Sequence, residues 1–194
     1  MGSKTLGTNH EITLALRDAS GIDSFIETGT WKGGTTTWAA QHFPNVITCE
    51  GMPGRFWKTW HNALKGMPNV MPLLGESADL LPKVLDMMRT PAIFWLEAHY
   101  CTSNKEERSQ GLNVCPVMHE ILAINMSPCA HLHILMVDDA RLFGVEDGWP
   151  TVAELTEVLE MHGRIVILYE DVFYAVPEMY DKIITDRYTP PLKS

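Results

Sequence analysis

The segment FIETGTWKGG, residues 25–34, places an apolar strand directly before a turn with three glycines, and a stretch that favours a helix follows. A strand that stops at a glycine-rich turn and restarts as a helix directs backbone N–H groups and the positive end of the helix into one crevice. The glycines let a ligand lie against bare backbone. The segment therefore predicts a crevice for a nucleotide-like ligand.

The spacing of the acid and the glycines distinguishes between nucleotide cofactors. NAD-binding turns need G-x-G-x-x-G, whereas this turn reads E-x-G-x-x-x-G. The pattern resembles the first motif of class I S-adenosylmethionine (SAM) dependent methyltransferases. The resemblance implies a set of cofactor-binding residues at this turn: Glu27, Gly29, Thr30, Trp31 and Gly33.

Two further segments agree with this order of motifs. Residues 45–50 form a short apolar stretch that ends in Glu50, and the resemblance makes Glu50 the ligand of the ribose hydroxyls. The alternative for Glu50 is a surface acid that ends a strand. Residues 69–77 read as a strand and a turn, and the resemblance places Glu76 and Ser77 on the adenine side.

Hydrophobic patterning predicts an α/β fold in which helices and strands alternate. The strands are nearly all apolar, as expected for parallel strands covered on both faces, and the last two read as a hairpin. We expect a single Rossmann-like doubly wound sheet, mostly parallel, of about seven strands with a C-terminal antiparallel hairpin. The expected strands are 24–27, 45–49, 69–74, 92–96, 133–137, 164–168 and 172–176; the expected helices are 8–20, 34–42, 53–65, 79–89 with Pro82 in its first turn, 116–125 and 151–162.

Length and composition favour one domain. With 194 residues, 45% of them hydrophobic, the chain can bury one substantial core. No linker, repeat or low-complexity tract divides it. We expect a single SAM-binding domain over residues 1–194, with an N-terminal helical extension at 1–21 and a C-terminal tail at 178–194.

Net charge and cysteine spacing limit which binding partners and which cellular compartment are expected. The 15 Lys and Arg against 24 Asp and Glu give a net charge of −9, which disfavours binding to nucleic acid. No apolar run approaches a membrane span, and the N-terminus lacks the apolar core of a signal peptide. Four cysteines lack C-x-x-C spacing, so reduced thiols in the cytoplasm are expected: Cys49, Cys101, Cys115 and Cys129.

Acidic side chains follow the fourth and fifth expected strands. Glu97 comes from the segment WLEAHY, and Asp138 and Asp139 come from MVDDA. Because these strand ends are adjacent in the expected sheet, the three carboxylates could share a hard divalent ion such as Mg²⁺. Without a cation, such crowding of carboxylates would be costly.

Over roughly residues 22–177, the motif order resembles metal-dependent O-methyltransferases of the macrocin type and their cephalosporin hydroxylase relatives. In those families an acid after the fourth strand and an acid pair after the fifth hold magnesium, which matches Glu97, Asp138 and Asp139. Glu97 departs from the more usual Asp. In the alternative interpretation Asp139 caps the following turn, Asp138 pairs with Arg141, and Glu97 is solvated.

His99 follows Glu97 by two residues, so both side chains would face the same side of an extended strand end. A neutral imidazole there could remove the proton of a hydroxyl acidified by Mg²⁺ as the oxygen attacks the methyl group. His99, Glu97 and Asp138 are therefore the candidate catalytic residues, and Glu97 is also expected at the cofactor. The alternative for His99 is a buried, hydrogen-bonded histidine. Residues 101–114 have the composition of a loop over the crevice.

These motifs predict a SAM-dependent methyltransferase that methylates a hydroxyl of a small molecule, such as a sugar or a natural-product-like metabolite. A metal-independent methyltransferase and a non-catalytic SAM-binding or interaction module are alternatives, and the same acids could serve hydroxylation or hydrolysis. The expected partner is a small-molecule substrate, without nucleic acid or membrane. The sequence leaves homo-oligomer formation open.

Overall fold

The computed structural model describes residues 8–98 and 115–187. Within these ranges seven strands form one sheet. The strands are β1 Ser24–Thr28, β2 Asn45–Glu50, β3 Val70–Leu74, β4 Ile93–Leu96, β5 Ile134–Val137, β6 Arg164–Tyr169 and β7 Val172–Pro177.

The strand order is β3-β2-β1-β4-β5-β7-β6. Strands β1 to β5 pair in parallel, whereas β7 pairs antiparallel with both β5 and β6. This confirms the expected doubly wound, mostly parallel sheet with a C-terminal antiparallel hairpin. The chain order reverses between β1 and β4, and such a reversal opens a ligand crevice at the carboxyl ends of the strands.

Helices connect the strands and cover both faces of the sheet. The expected helix 53–65 is divided, because its second half, Trp60–Leu64, is π-helical. Ser77 begins the next helix two residues earlier than expected, so Pro82 lies inside the helix and not in its first turn. The helices are α1 His10–Ser20, α2 Gly34–His42, α3 Pro53–Thr59, α4 Ser77–Met87, α5 Val117–Asn125, α6 Val152–Leu159 and α7 Asp181–Thr185.

Two apolar clusters fill the space between the sheet and its helices. One packs the Phe94 face of the sheet against α4, α5 and α6. The other packs the Trp95 face against α1 and α2, and it also buries Ile184 of α7. Alternate residues of each strand therefore serve opposite cores, as the nearly continuous apolar strands predicted.

Helix α6 shows how local sequence sets an element boundary. Thr151 and Glu154 form a capping box at its start. The helix ends at Leu159, earlier than the expected residue 162, and His162 then adopts a left-handed φ of 64°.

In the described ranges, no helix combines the length and apolar character that a membrane crossing requires.

Candidate active site

The glycine-rich turn joins β1 to α2 through three residues with positive φ. Gly29 has φ 86°, Trp31 φ 47° and Gly33 φ 77°. A Cβ atom on Gly29 would lie 2.7 Å from the carbonyl oxygen of Glu97, in the backbone after β4. Glycine is therefore required at position 29 by backbone conformation and by the close approach of β4. Trp31 is a bulky residue in a conformation that L-residues seldom adopt, and such strain is typical of ligand sites.

Glu50 lies at the end of β2 and holds this turn in place. Its Oε2 accepts a hydrogen bond of 3.0 Å from the Trp31 backbone N–H. Its Oε1 accepts one of 3.0 Å from the Met52 N–H, and Arg55 Nη1 lies 3.7 Å away. The carboxylate is only 4% exposed. The predicted ribose ligand and the predicted methionine-side turn thus share one edge of the sheet.

Glu27 is 1% exposed and links three elements. Its Oε2 accepts hydrogen bonds from the hydroxyls of Thr36 in α2 and Thr48 in β2, the latter at 2.6 Å. Thr48 in turn lies 2.6 Å from the hydroxyl of Thr30. Burial raises the pKa of Glu27 to about 8, although both threonine hydrogen bonds act to lower it. The structure places Glu27 inside the polar network of the turn, and its contact with a cofactor stays a prediction.

The expected adenine-side residues lie at the start of α4. Glu76 is the N-cap residue, and its carboxyl oxygen packs close to Gly51. Burial raises the pKa of Glu76, and the charges of Asp79 and Glu50 raise it further. Ser77 is buried, and its hydroxyl has no hydrogen-bond partner in the part of the chain that the structure describes. A buried hydroxyl of this kind is a group that a ligand atom can satisfy.

Glu97 and Asp138 leave neighbouring strands at the same edge of the sheet. Leu96 of β4 pairs with Val137 of β5, and the Asp138 N–H continues this ladder with a 3.2 Å bond to the Leu96 carbonyl. The indole N–H of Trp95 donates to Glu97 Oε2 at 2.9 Å. The structure therefore confirms that these two acids leave adjacent strand ends.

Asp139 is held by an arginine. Its Oδ1 lies 2.5 Å from Arg141 Nη1, and the same nitrogen contacts Asp171 in the β6–β7 turn. The Arg141 backbone N–H also donates to Asp171 Oδ1 at 2.8 Å. Arg141 thus pairs with Asp139 and Asp171, where the alternative interpretation expected a pair with Asp138. Nor does the Asp139 side chain cap the turn that follows it.

The three predicted magnesium ligands are not gathered into a metal site in the described part of the chain. Between residues 8 and 98 and between 115 and 187, no three His, Cys, Asp or Glu side chains are grouped so that they could hold a metal ion. The expected ligand Asp139 is engaged by Arg141. His99 and the loop 101–114 lie outside the described residues.

The hairpin contributes residues that the sequence interpretation missed. Glu170 and Asp171 both have positive φ, 54° and 140°, and they bring two more carboxylates towards the end of β5. The Asn9 amide donates to Glu170 at 3.0 Å. The hairpin itself was readable from its two apolar strands. Its position beside β5 follows only from the sheet order, which long-range pairing decides.

Comparison with known proteins agrees with this fold. No protein-family model matches the chain, and no curated protein has a significantly similar sequence. Among solved structures, the O-methyltransferase TomG from Streptomyces achromogenes, involved in tomaymycin synthesis and crystallised with SAM, superposes with a TM-score of 0.57 at 18% identity, over 89% of this chain and 81% of that one.

Two more solved structures show the same likeness. An O-methyltransferase from Bacillus cereus, in complex with S-adenosylhomocysteine (SAH), gives a TM-score of 0.57 at 16% identity, over 90% of this chain and 84% of that chain. Precorrin-6y C5,15-methyltransferase from Geobacter metallireducens gives 0.51 at 17% identity, over 90% of each chain. The chain therefore has the Rossmann-like fold of methyltransferases.

Proposed function

We propose that the protein is a SAM-dependent methyltransferase acting on a hydroxyl group of a small molecule, such as a sugar or a natural-product-like metabolite. The observation that carries the proposal is the hydrogen bond between Glu50 and the Trp31 N–H. It joins the end of β2 to the glycine-rich turn at the point where the sheet order reverses. The two solved structures named as O-methyltransferases support an oxygen acceptor.

The proposed division of labour follows the edge of the sheet. Gly29, Thr30, Trp31 and Gly33 would bind the methionine part of SAM, while Glu50 would accept the ribose hydroxyls. Glu76 and Ser77 would flank the adenine. Together these groups, with Glu27 in the network below them, would hold the sulfonium methyl towards the ends of β4 and β5.

The reaction itself needs an oxygen nucleophile placed in line with the methyl group. The acceptor oxygen forms a bond to the methyl carbon as the carbon–sulfur bond breaks, which gives a methyl ether and SAH. The proton of the acceptor hydroxyl must go to a base, and we propose His99 or the Asp138 carboxylate for this role. Glu97 would contact both the cofactor and the acceptor.

Magnesium assistance through Glu97, Asp138 and Asp139 stays a prediction. The ion pair between Asp139 and Arg141 favours the metal-independent form of the reaction. In that form, catalysis depends on positioning the acceptor against the methyl group and on removing its proton. Cytoplasmic localisation and homo-oligomer formation are also left as predictions.

The test is methyl transfer from SAM to glucose, glucosamine and catechol, followed as SAH release and by mass spectrometry of the products. One set of reactions contains Mg²⁺ and the other contains EDTA. Methylated product in both sets supports the metal-independent form, and product only with Mg²⁺ supports the acid cluster as a metal site. His99→Ala should lower kcat and leave the affinity for SAH unchanged. SAH binding without product from any acceptor would favour a non-catalytic module.

A further inference from the structure

One row of large side chains lies directly below the acidic edge of the sheet. Trp95 pairs in register with Met136, and Met136 pairs with Tyr174 of β7. All three are fully buried and belong to the same apolar cluster, so they lie on one face of the sheet. Glu97 and Asp138 follow Trp95 and Met136 by two residues, which places them on that face one step nearer the edge.

The polar atoms of two members of this row are occupied. The Trp95 indole N–H donates to Glu97 at 2.9 Å. The Met136 sulfur accepts from the hydroxyls of Thr8 at 3.8 Å and Thr13 at 3.5 Å. The Tyr174 hydroxyl differs, because it is buried without a hydrogen-bond partner among residues 8–98 and 115–187.

The unpaired hydroxyl belongs to the residue paired with Met136, two positions before Asp138. The carboxylates of Glu170 and Asp138 both act electrostatically on it and, after burial, are the main causes that raise the pKa of Tyr174. The phenol therefore stays protonated at neutral pH and acts as a hydrogen-bond donor. An unpaired buried hydroxyl destabilises the folded protein, so its presence beside the proposed reaction site suggests that a ligand pairs with it.

We propose that the Tyr174 hydroxyl donates a hydrogen bond to the methyl-accepting oxygen of the substrate, beside Asp138, and so selects hydroxyl acceptors. The inference rests on the methyltransferase function proposed above. A hydroxyl can accept from the tyrosine through a lone pair and donate its own proton to a carboxylate. An ammonium nitrogen has no lone pair to accept the tyrosine bond, and a thiol accepts weakly.

The test compares Tyr174→Phe with the matched variant Tyr180→Phe. Tyr180 follows the C-terminal end of β7, which is the end away from the β6–β7 turn. Because the substitution in Tyr174→Phe removes an unpaired group, the thermal unfolding midpoint of the ligand-free protein should equal or exceed that of the wild type. The Kd for SAH should stay within about twofold. The kcat/KM for the best of glucose, glucosamine and catechol should fall about threefold to tenfold, the loss of one hydrogen bond. Tyr180→Phe should change none of these.

Three results would overturn the inference. They are a lower ligand-free midpoint for Tyr174→Phe than for Tyr180→Phe, an unchanged kcat/KM, and methylation of glucosamine on nitrogen. If the wild type binds SAH but methylates none of the three acceptors, the proposed function fails separately. In that case the thermal unfolding midpoints test the Tyr174 hydroxyl by themselves. An equal or higher midpoint for Tyr174→Phe supports a hydroxyl that is unpaired and available to a ligand, and a lower midpoint contradicts it.

Discussion

The proposed cofactor end of the sheet edge, at Gly29 and Glu50, and the proposed acceptor end, at Glu97 and Asp138, are built differently. At the cofactor end, the turn after β1 and the acid after β2 are bonded to each other within one short stretch of chain, through Glu50 and Trp31. At the acceptor end, the groups come from β4, β5 and the β6–β7 hairpin, and the Tyr174 hydroxyl is unpaired in the described chain. The turn and Glu50 are thus already bonded to each other without a ligand, and we infer that the acceptor supplies the missing partner in the second region.

This difference has a physical meaning for binding. A site whose N–H groups and carboxylate are already fixed loses little conformational entropy when its ligand arrives. A site that contains an unpaired buried hydroxyl gains a hydrogen bond only when the correct ligand supplies one. Cofactor binding should therefore tolerate changes at the acceptor end, whereas acceptor recognition should depend on single polar groups.

The largest expected effect breaks the contact between the two regions. Gly29→Ala would drive a Cβ to 2.7 Å from the Glu97 carbonyl oxygen at φ 86°, and we expect a loss of about 2–4 kcal/mol in the free energy of unfolding. Urea denaturation measures it. Gly34→Ala is the matched control, because a Cβ at position 34 would meet no neighbouring atom within 4 Å, and its stability should match or exceed that of the wild type. Equal stability of the two variants would contradict this packing.

A second prediction separates the two ends by affinity. Glu50→Ala removes the acceptor of the Trp31 and Met52 N–H groups, so the Kd for SAH should rise at least tenfold, about 1.4 kcal/mol. Asp138→Ala should leave the Kd within about twofold and lower methyl transfer. Calorimetric titration of both variants gives the comparison. Similar Kd values for the two variants would mean that the cofactor does not lie against β2.

A third prediction concerns pH. The pKa of Glu27 is raised to about 8 in the folded state from the ordinary value of 4.5. Between these pH values Glu27 holds a proton in the folded protein and loses it in the unfolded chain. The contribution of Glu27 to the free energy of unfolding is therefore fully present below about pH 4.5 and is lost as pH rises towards 8. One proton limits this slope to about 1.4 kcal/mol per pH unit. Glu27→Gln should remove this contribution, as denaturation at pH 5, 6, 7 and 8 would show; parallel pH profiles for variant and wild type would contradict it.

The smallest expected effect concerns a single hydroxyl at the cofactor end. Ser77→Ala removes a buried hydroxyl without a partner in the described chain, so the ligand-free protein should be as stable as the wild type or up to about 1 kcal/mol more stable. Its affinity for SAH should fall a few fold. Ser127→Ala is the contrasting variant, since the Ser127 hydroxyl is paired with His133 Nε2 at 2.9 Å, and it should lose about 1 kcal/mol. A larger loss for Ser77→Ala would show that its hydroxyl is paired.

The cofactor end was largely predictable from sequence because its signals are local. The strand, the glycines and Glu50 lie within residues 25–50, and each pattern has a direct physical cause in turn geometry or strand burial. The positive φ of Trp31 was not predictable, since nothing in its residue type favours that conformation. It depends on the bonds that Glu50 and Thr59 make with the Trp31 backbone.

The acceptor end was predictable only in part. The strand-end acids Glu97 and Asp138 could be found from the apolar runs that precede them. The pairing of Arg141 with Asp171, 30 residues away, could not. It requires the hairpin to lie against β5 and to adopt strained turn conformations, and both follow from tertiary packing. The unpaired state of Tyr174 likewise depends on which atoms surround it.

The most direct test of the cofactor assignment is calorimetric titration of SAM and SAH into the wild-type protein, first with Mg²⁺ and then with EDTA. We expect both ligands to bind at a single site per chain, with the same affinity in the two conditions, because the cofactor end is formed by backbone N–H groups and Glu50. Absence of binding in both conditions would contradict the assignment, and the glycine-rich turn would then have to bind a different ligand.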